Sequence, residues 1–342
     1  MLKMSLSKLN DFFGTVASAQ KLYIPVDSAE GAVYAQYEDG LEFSRACNTN
    51  RSAKDFFFPQ IENLVDFKVD GKKIEIKDGR EEVEDFVIFG VRACDLASFE
   101  VLDRVYLTTP PVDTYYKNRR EHATIVTLAC TRPAETCFCH VFGNIDATDP
   151  AGDVTAWIEG DDIFFKANTE KGNKLIESVK SLTAESDDAA VKKQQAEVKE
   201  IMSRLPIQDI GLNNISGRGL MDNFNSDIWN DMYEACLGCG TCTFVCPTCQ
   251  CYDVREFNTG NGIKRFRCWD SCMYRDFTKM AAGNHRPTQK ERFRQRFMHK
   301  LVYFPNNNDG MYMCVGCGRC LKSCPINMNI VKVAKALGGE KQ

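Results

Sequence analysis

Two runs of four cysteines near the C-terminus constrain this 342-residue chain more than any other feature. The first run is Cys236, Cys239, Cys242 and Cys246, and the second is Cys314, Cys317, Cys320 and Cys324, each followed by proline. Both read C-x2-C-x2-C-x3-C-P, a spacing in which three thiolates hold one [4Fe-4S] cube and the fourth holds a second cube. Glycines between the cysteines let backbone amides approach the sulfurs, and the proline redirects the chain. The predicted ligand sets are Cys236, Cys239, Cys242 with Cys324, and Cys314, Cys317, Cys320 with Cys246.

Zinc knuckles and a disulfide framework are the alternative interpretations of these runs. Zinc sites usually combine two C-x2-C pairs across a spacer, which neither run does. The chain has 17 cysteines, an odd number, and is too long to need disulfides for stability. Its first residues show no secretory pattern, and no apolar run approaches the roughly eighteen residues that span a bilayer. We therefore expect free thiolates in an anaerobic cytoplasm, without direct membrane insertion.

Apolar patterns predict a mixed α/β domain over residues 1–215. A helical period at 5–19 precedes a strand that begins at Lys21. Alternating segments predict three hairpins, with turns at Asp39-Gly40, Asp70-Gly71 and Gly160-Asp161. Two short apolar segments, 85–91 and 123–129, are typical of buried strands. Asp95 follows the first of these strands and is positioned to cap a helix.

A second domain is predicted over residues 216–342, which makes the fold class α+β. The glycine- and asparagine-rich segment 211–225 is predicted to be the linker. Beyond it, the two cysteine runs predict a mainly helical, bacterial-type dicluster ferredoxin domain. The 67 residues between Cys246 and Cys314 form a long insertion between the cluster motifs.

This insertion is strongly basic. Residues 262–300 contain eleven basic and three acidic residues, whereas the whole chain carries a net charge of −4. A solvated helix face would explain the basic residues. Partner docking, or compensation of the negative charge of thiolate-bound clusters, would explain them as well. They match no RNA-binding signature, so nucleic acid is not expected as a partner.

Eight of the nine remaining cysteines fall into two groups of four. The first group is Cys94, Cys130, Cys137 and Cys139, a candidate third cluster because two of its members follow buried strands. The second group is Cys249, Cys251, Cys268 and Cys272, a candidate zinc or iron–sulfur site within the insertion. Small, buried, reduced thiols are the alternative for both groups. Cys47 has no partner that the sequence identifies.

Several motifs around these cysteines resemble a known family. The motifs are Gly90-Val-Arg-Ala-Cys-Asp95, Thr136-Cys-Phe-Cys139, Cys246-Pro-Thr-Cys-Gln-Cys251, Trp269-Asp-Ser-Cys-Met273 and Arg286-Pro-Thr288. Together with the two runs they are similar, almost end to end, to the dicluster iron–sulfur subunits of anaerobic sulfite reductases and to the beta subunits of cytoplasmic sulfhydrogenases. The resemblance implies the eight cube ligands assigned above. It also favours ligation by the additional cysteines of both groups other than Cys268.

The resemblance further implies an electron-transfer subunit of a hetero-oligomer. Its expected partners are a flavin subunit that oxidises NAD(P)H and a separate catalytic subunit of sulfite reductase or hydrogenase type. The chain shows no dinucleotide fingerprint, P-loop or nucleophile elbow, so neither a flavin or nucleotide of its own nor a catalytic residue is predicted. Two alternatives stay open: a reductase in which the additional cysteines bind a substrate-reducing cluster, and a zinc-stabilised interaction module.

Overall fold

The computed structural model describes residues 1–339 and combines two main sheets with surrounding helices. The strands are β1 (Leu2–Ser5), β2 (Lys21–Ser28), β3 (Gly31–Gln36), β4 (Ile61–Asp70), β5 (Lys73–Asp78), β6 (Phe86–Val91), β7 (Ala123–Leu128), β8 (Val154–Glu159), β9 (Asp162–Ala167), β10 (Ala184–Glu185), β11 (Tyr252–Asn258), β12 (Gly262–Trp269), β13 (Lys279–Met280) and β14 (Gly283–Asn284). The helices are α1 (Leu9–Ala19), α2 (Ala93–Tyr106), α3 (Thr114–His122), α4 (Glu170–Ser178), α5 (Ala189–Ser203), α6 (Leu212–Gly217), α7 (Leu220–Phe224), α8 (Ile228–Met232), α9 (Thr241–Phe244), α10 (Gln289–Met298), α11 (Phe304–Asn307), α12 (Arg319–Ser323) and α13 (Ile330–Leu337). The predicted α+β class is confirmed.

The larger sheet has eight strands in the order β10-β1-β9-β8-β7-β6-β2-β3. The four strands β2, β6, β7 and β8 run parallel, and the outer pairs are antiparallel. Both β6 and β7 are buried along their whole length, because apolar clusters cover the sheet on both faces. Parallel neighbours end at the same edge of a sheet, so Cys94 and Cys130 follow β6 and β7 on one side of the molecule.

Two of the three predicted hairpins form. The β8–β9 pair turns at Gly160-Asp161, as predicted, and the β4–β5 pair turns at Gly71-Lys72, one residue later than predicted, because Asp70 pairs with Lys73. The hairpin at Asp39-Gly40 was wrong, because the chain turns earlier, between β2 and β3, where Gly31 adopts a φ of +115°. Residues 37–52 then form an irregular segment without a strand, and this segment carries Cys47.

A second sheet joins the two halves of the chain. Its order is β11-β12-β4-β5, so strands of the basic insertion extend an N-terminal hairpin. Across the junction, the buried Arg267 of β12 lies 2.5 Å from the carboxylate of Glu62 and also pairs with Asp113. Residues on both sides of position 215 therefore share one sheet.

The remaining C-terminal residues form a mainly helical region around an apolar core that includes Trp229 and Phe293, together with Phe138 from the N-terminal half. The segment 211–225, predicted to be the linker, contains the two short helices α6 and α7. It is fixed there by the buried Asn223, whose amide donates to the carbonyl of Ile215 at 3.0 Å. No helix within residues 1–339 is both long and apolar enough to cross a membrane.

Helix α10 begins with a capping box whose contribution to the free energy of unfolding should be measurable. The Glu291 amide donates to the Thr288 hydroxyl at 3.4 Å, and the Glu291 carboxylate accepts from the Thr288 amide at 2.9 Å. Thr288→Ala should therefore lower the free energy of unfolding by about 1 kcal/mol, while Thr288→Ser, which keeps the hydroxyl, should be close to neutral. Urea unfolding of both variants measures the effect, and an equal loss in the two would contradict the capping role.

Candidate metal centres

The two cysteine runs fold into loops of matching geometry. Gly238 and Gly240 in the first loop have φ values of +68° and +75°, and Gly316 and Gly318 in the second have +60° and +77°. Such left-handed conformations favour glycine, which explains the glycines inside each motif. Each loop leads into a short helix, α9 or α12, and these two helices pack against each other.

Backbone amides in these loops donate to cysteine sulfurs at equivalent positions. The donor and acceptor pairs are Gly238 to Cys236, Thr241 to Cys239, Gly316 to Cys314 and Arg319 to Cys317. The first of these bonds spans 3.4 Å from nitrogen to sulfur. Hydrogen bonds of this kind stabilise a thiolate, and in cluster proteins they raise the reduction potential. Both loops therefore present sulfurs in an environment suited to negative charge.

A cavity between the runs is lined by Cys246 of the first run and by Cys314, Cys317 and Cys320 of the second. These are the four ligands predicted for the second cube. Phe138 and Ile330 contribute apolar walls, and the long side chains of two basic residues complete the lining. Burial raises the pKa of the Cys314 thiol to about 12, so this thiol needs a bound metal to ionise near neutral pH.

Burial raises the pKa of Cys236, and the nearby charges of Cys242 and Cys239 raise it further. Three of the ligands predicted for the first cube therefore lie close together. Cys239 is exposed, so this loop reaches the molecular surface. The fourth predicted ligand, Cys324, directly follows α12, the helix that packs against the first loop. Its thiol donates to the carbonyl of Met328 at 3.5 Å.

Two buried cations face these cysteines. Arg296 and Lys300 are each only 3% exposed. Arg296 Nη2 donates to the carbonyl of Cys242 at 3.2 Å, while its Nε and Nη1 have no hydrogen-bond partner among the described residues. Lys300 Nζ donates to the hydroxyl of Thr248 at 2.7 Å.

Because Arg296 and Lys300 are buried, negatively charged groups must lie nearby to stabilise their positive charges. Burial acts to lower the pKa of Arg296, but the neighbouring thiolates raise it well above its usual value; they are those of Cys242, Cys320, Cys249 and Cys246. A buried, incompletely paired guanidinium is costly, because its solvation is lost without compensation. Thiolate-bound cubes would supply that compensation, so the residues present fit the predicted groups.

The insertion cysteines are distributed differently from the predicted group of four. Cys251 hydrogen-bonds with Cys272, whereas Cys249 hydrogen-bonds with Cys246 of the first run. Cys268 lies on β12, where the charged groups that act on it are Arg255, Asp253 and Asp270. The structure therefore places Cys249 beside the first run, pairs Cys251 with Cys272, and leaves Cys268 on the sheet.

The N-terminal group gathers with one additional member. Cys94, Cys137 and Cys139 are buried in one cluster, with Cys130 packed against it. Cys47 joins them, and its sulfur lies 3.9 Å from the sulfur of Cys137. Sequence reasoning missed Cys47 because it lies 90 positions before Cys137, on a segment without regular structure.

Within residues 1–339, no group of three or more His, Cys, Asp or Glu side chains is arranged to hold a metal ion. The ligands of a cube follow a different geometry, because each thiolate binds a different iron atom. They therefore stand farther apart than the ligands of a single ion.

Comparison with known proteins adds two matches. Residues 235–328, which include both cysteine runs, match the family described as 4Fe-4S dicluster domain. The chain is also 31% identical over 340 residues to Sulfhydrogenase 2 subunit beta of Pyrococcus furiosus, and the alignment covers 97% of this chain and 96% of that protein. No solved structure matches.

Proposed function

Because this chain belongs to the family of sulfhydrogenase beta subunits, iron–sulfur subunits for electron transfer, we propose that it relays single electrons between two partners. One partner is a flavin subunit that oxidises NAD(P)H, and the other is a catalytic redox subunit. The observation that carries this proposal is the cavity in which Cys246 of one run meets three cysteines of the other. A shared ligand set of this kind is characteristic of paired cubes.

The proposed ligands are the two sets predicted from the spacing. Cys236, Cys239, Cys242 and Cys324 would hold the first cube, and Cys314, Cys317, Cys320 and Cys246 the second. When bound, the cubes accept and release one electron at a time without a proton. The chain contributes the thiolates, the amides that donate to them and the buried charges of Arg296 and Lys300.

The exposed Cys239 suggests where a partner docks. The hydroxyl of Tyr274 donates to the carbonyl of Cys239 at 3.2 Å, so the following segment lies beside the first loop. That segment carries the exposed cations Arg275 and Lys279. We propose that an acidic surface of one redox partner contacts this segment, because complementary charge steers association toward an exposed centre.

The docking proposal predicts a salt-dependent loss of partner binding. The double variant Arg275→Glu with Lys279→Glu should bind the partner captured from anaerobic lysate about tenfold more weakly at low salt. Its iron content should equal that of the unaltered chain, because neither side chain is a proposed ligand. The variant Lys192→Glu with Lys193→Glu, on the exposed face of α5, provides a control of equal charge change. Equal losses for the two double variants would contradict a local docking site.

Iron and acid-labile sulfide analysis of anaerobically purified protein tests the cubes themselves. We expect at least about eight iron atoms per chain and spin-coupled signals by EPR after reduction. Cys320→Ser should lose about four of these iron atoms, whereas Cys268→Ser should lose none. Zinc without sulfide would instead favour the interaction module. Sulfite or hydrogen turnover by the isolated chain with an artificial electron donor would favour a reductase in its own right.

A further inference from the structure

Five cysteines of the N-terminal half meet at one place, next to the second cysteine run. Their buried cluster also contains Cys317 of that run. The five cysteines come from four separate segments of the chain. Cys94 lies in the first turn of α2, Cys130 follows β7, Cys137 and Cys139 share a short loop, and Cys47 lies on the irregular segment 37–52.

We propose that Cys94, Cys130, Cys137 and Cys139 hold a third iron–sulfur cluster of the cube type, and that the Cys47 thiol donates a hydrogen bond to the sulfur of Cys137. This inference rests on the proposed function, since the paired cubes give a third cluster its redox neighbour. It goes beyond that function because the matched dicluster domain begins only at residue 235.

The distance between two sulfurs distinguishes the ligands from the fifth thiol. Cys47 and Cys137 are 3.9 Å apart, a separation that suits a hydrogen bond between a thiol and a sulfur. Two ligands of one cube bind different irons and stand farther apart, so only one of the pair is a ligand. Cys137 is the better held, because its amide donates to Ala134 and the next amide, of Phe138, donates to Gly316, each at 2.9 Å.

Positive charge and amide donors surround the proposed ligands, as they surround the second cube. The buried Arg92 donates to three backbone carbonyls and acts electrostatically on Cys130. Arg319 acts in the same way on Cys94, which also lies at the positive N-terminal end of the 14-residue helix α2. The amide of His140 donates to the sulfur of Cys139. Burial raises the pKa of the Cys94, Cys130 and Cys139 thiols, and these groups offset part of that effect, so the thiolates would be held in place by bound iron.

The proposed third cluster adjoins the second cube. A side chain at Gly316 would lie 2.5 Å from backbone atoms of Phe138 and Cys139, so the two ligand loops are in direct backbone contact. The charge of Cys317 acts on both Cys94 and Cys139, so these three sulfurs lie near one another. One electron can therefore pass between neighbouring centres, oxidising one and reducing the other, with no bond broken and no proton moved.

Metal analysis of the full chain, purified anaerobically, tests the third cluster. We expect about twelve iron atoms and about twelve sulfides per chain, falling to about eight of each in Cys137→Ala and in Cys130→Ala. Two variants are used because either one alone could disturb folding, and circular dichroism checks each. Cys268→Ala is the matched control and should keep about twelve. About eight iron atoms in the unaltered chain, or an unchanged count in both folded variants, would overturn the proposal.

The role of Cys47 has a separate readout. Cys47→Ala should keep the full iron and sulfide content but shift the redox titration of one EPR signal to lower potential, because a hydrogen bond to a ligand sulfur is lost. Iron loss equal to that of Cys137→Ala would overturn the ligand assignment, and an unshifted titration would overturn the hydrogen bond. A count near eight rejects the third cluster alone, whereas protein without sulfide rejects the proposed function as well.

Discussion

Asp95→Asn is expected to lower the free energy of unfolding by about 3–5 kcal/mol. The Asp95 side chain is 1% exposed and pairs with the guanidinium of Arg319, which is 4% exposed, with Nη2 and Oδ2 2.8 Å apart. Arg319 also donates from Nε to the carbonyl of Thr49 at 2.8 Å. Asparagine would leave a buried cation without its counter-charge, and removing one partner of a buried pair costs far more than losing an exposed pair.

Urea unfolding of the anaerobic protein measures this effect. Asp309→Asn is the matched control, because Asp309 also pairs with an arginine, Arg104, but its side chain is 84% exposed. Its loss should be below about 1 kcal/mol. Arg319 lies between Cys317 and Cys320, so Asp95→Asn should also release iron faster under a chelator. Similar stabilities for the two variants would show that the Asp95–Arg319 pair contributes little.

The Asp95–Arg319 pair also shows what local patterns can and cannot predict. Strands β6 and β7 were predictable, because continuous apolar segments bounded by polar residues form buried strands. The prediction that Asp95 caps α2 was wrong: Asp95 is the third residue of this helix, and the N-cap position is occupied by Arg92, whose side chain makes no capping hydrogen bond. The partner of Asp95 lies 224 positions away, and no local pattern encodes such a contact.

In the candidate site too, features set by local spacing were predictable and long-range contacts were not. The spacing of the two runs predicted that Cys246 would lie with Cys314, Cys317 and Cys320, and these four cysteines line one cavity. The other set, Cys236, Cys239 and Cys242 with Cys324, stays a prediction. Grouping the other cysteines by proximity in sequence was less reliable. Cys268 is near Cys272 in sequence, but the β12 ladder places it beside Asp253 and Ile61. Cys47 was left without a partner because an irregular segment brings it to the N-terminal group.

The basic insertion illustrates why counting charges is insufficient. A solvated face was one interpretation of this segment, and exposed cations such as Lys279 are consistent with it. However, Arg267, Arg296 and Lys300 are buried, and each faces carboxylates or cysteines. The sequence reveals the number of cations in a segment but not the direction in which each side chain points. Compensation of cluster charge is therefore expected only of Arg296 and Lys300, because Arg267 pairs with carboxylates.

Arg296→Gln should lower the reduction potential of the cubes, because it removes a positive charge that favours the added electron. Cys242 and Cys320, one from each run, both act on Arg296, so its charge lies between the two proposed centres. A unit charge in such a position contributes about 1–3 kcal/mol at an effective dielectric constant of about 20. For a one-electron couple this is on the order of 40–130 mV. Redox titration followed by EPR measures the shift.

Two further variants separate this local effect from changes in net charge and in folding. Arg294→Gln removes the same charge from the same helix, but Arg294 lies over the ring of Phe224, 3.5 Å from its centroid. It should shift the potential far less than Arg296→Gln, because the charge removed is not directed at the cysteines. Arg296→Lys keeps the charge and should restore most of the potential. Equal shifts in the two glutamine variants would mean that net charge, rather than the buried guanidinium of Arg296, sets the potential of the cubes.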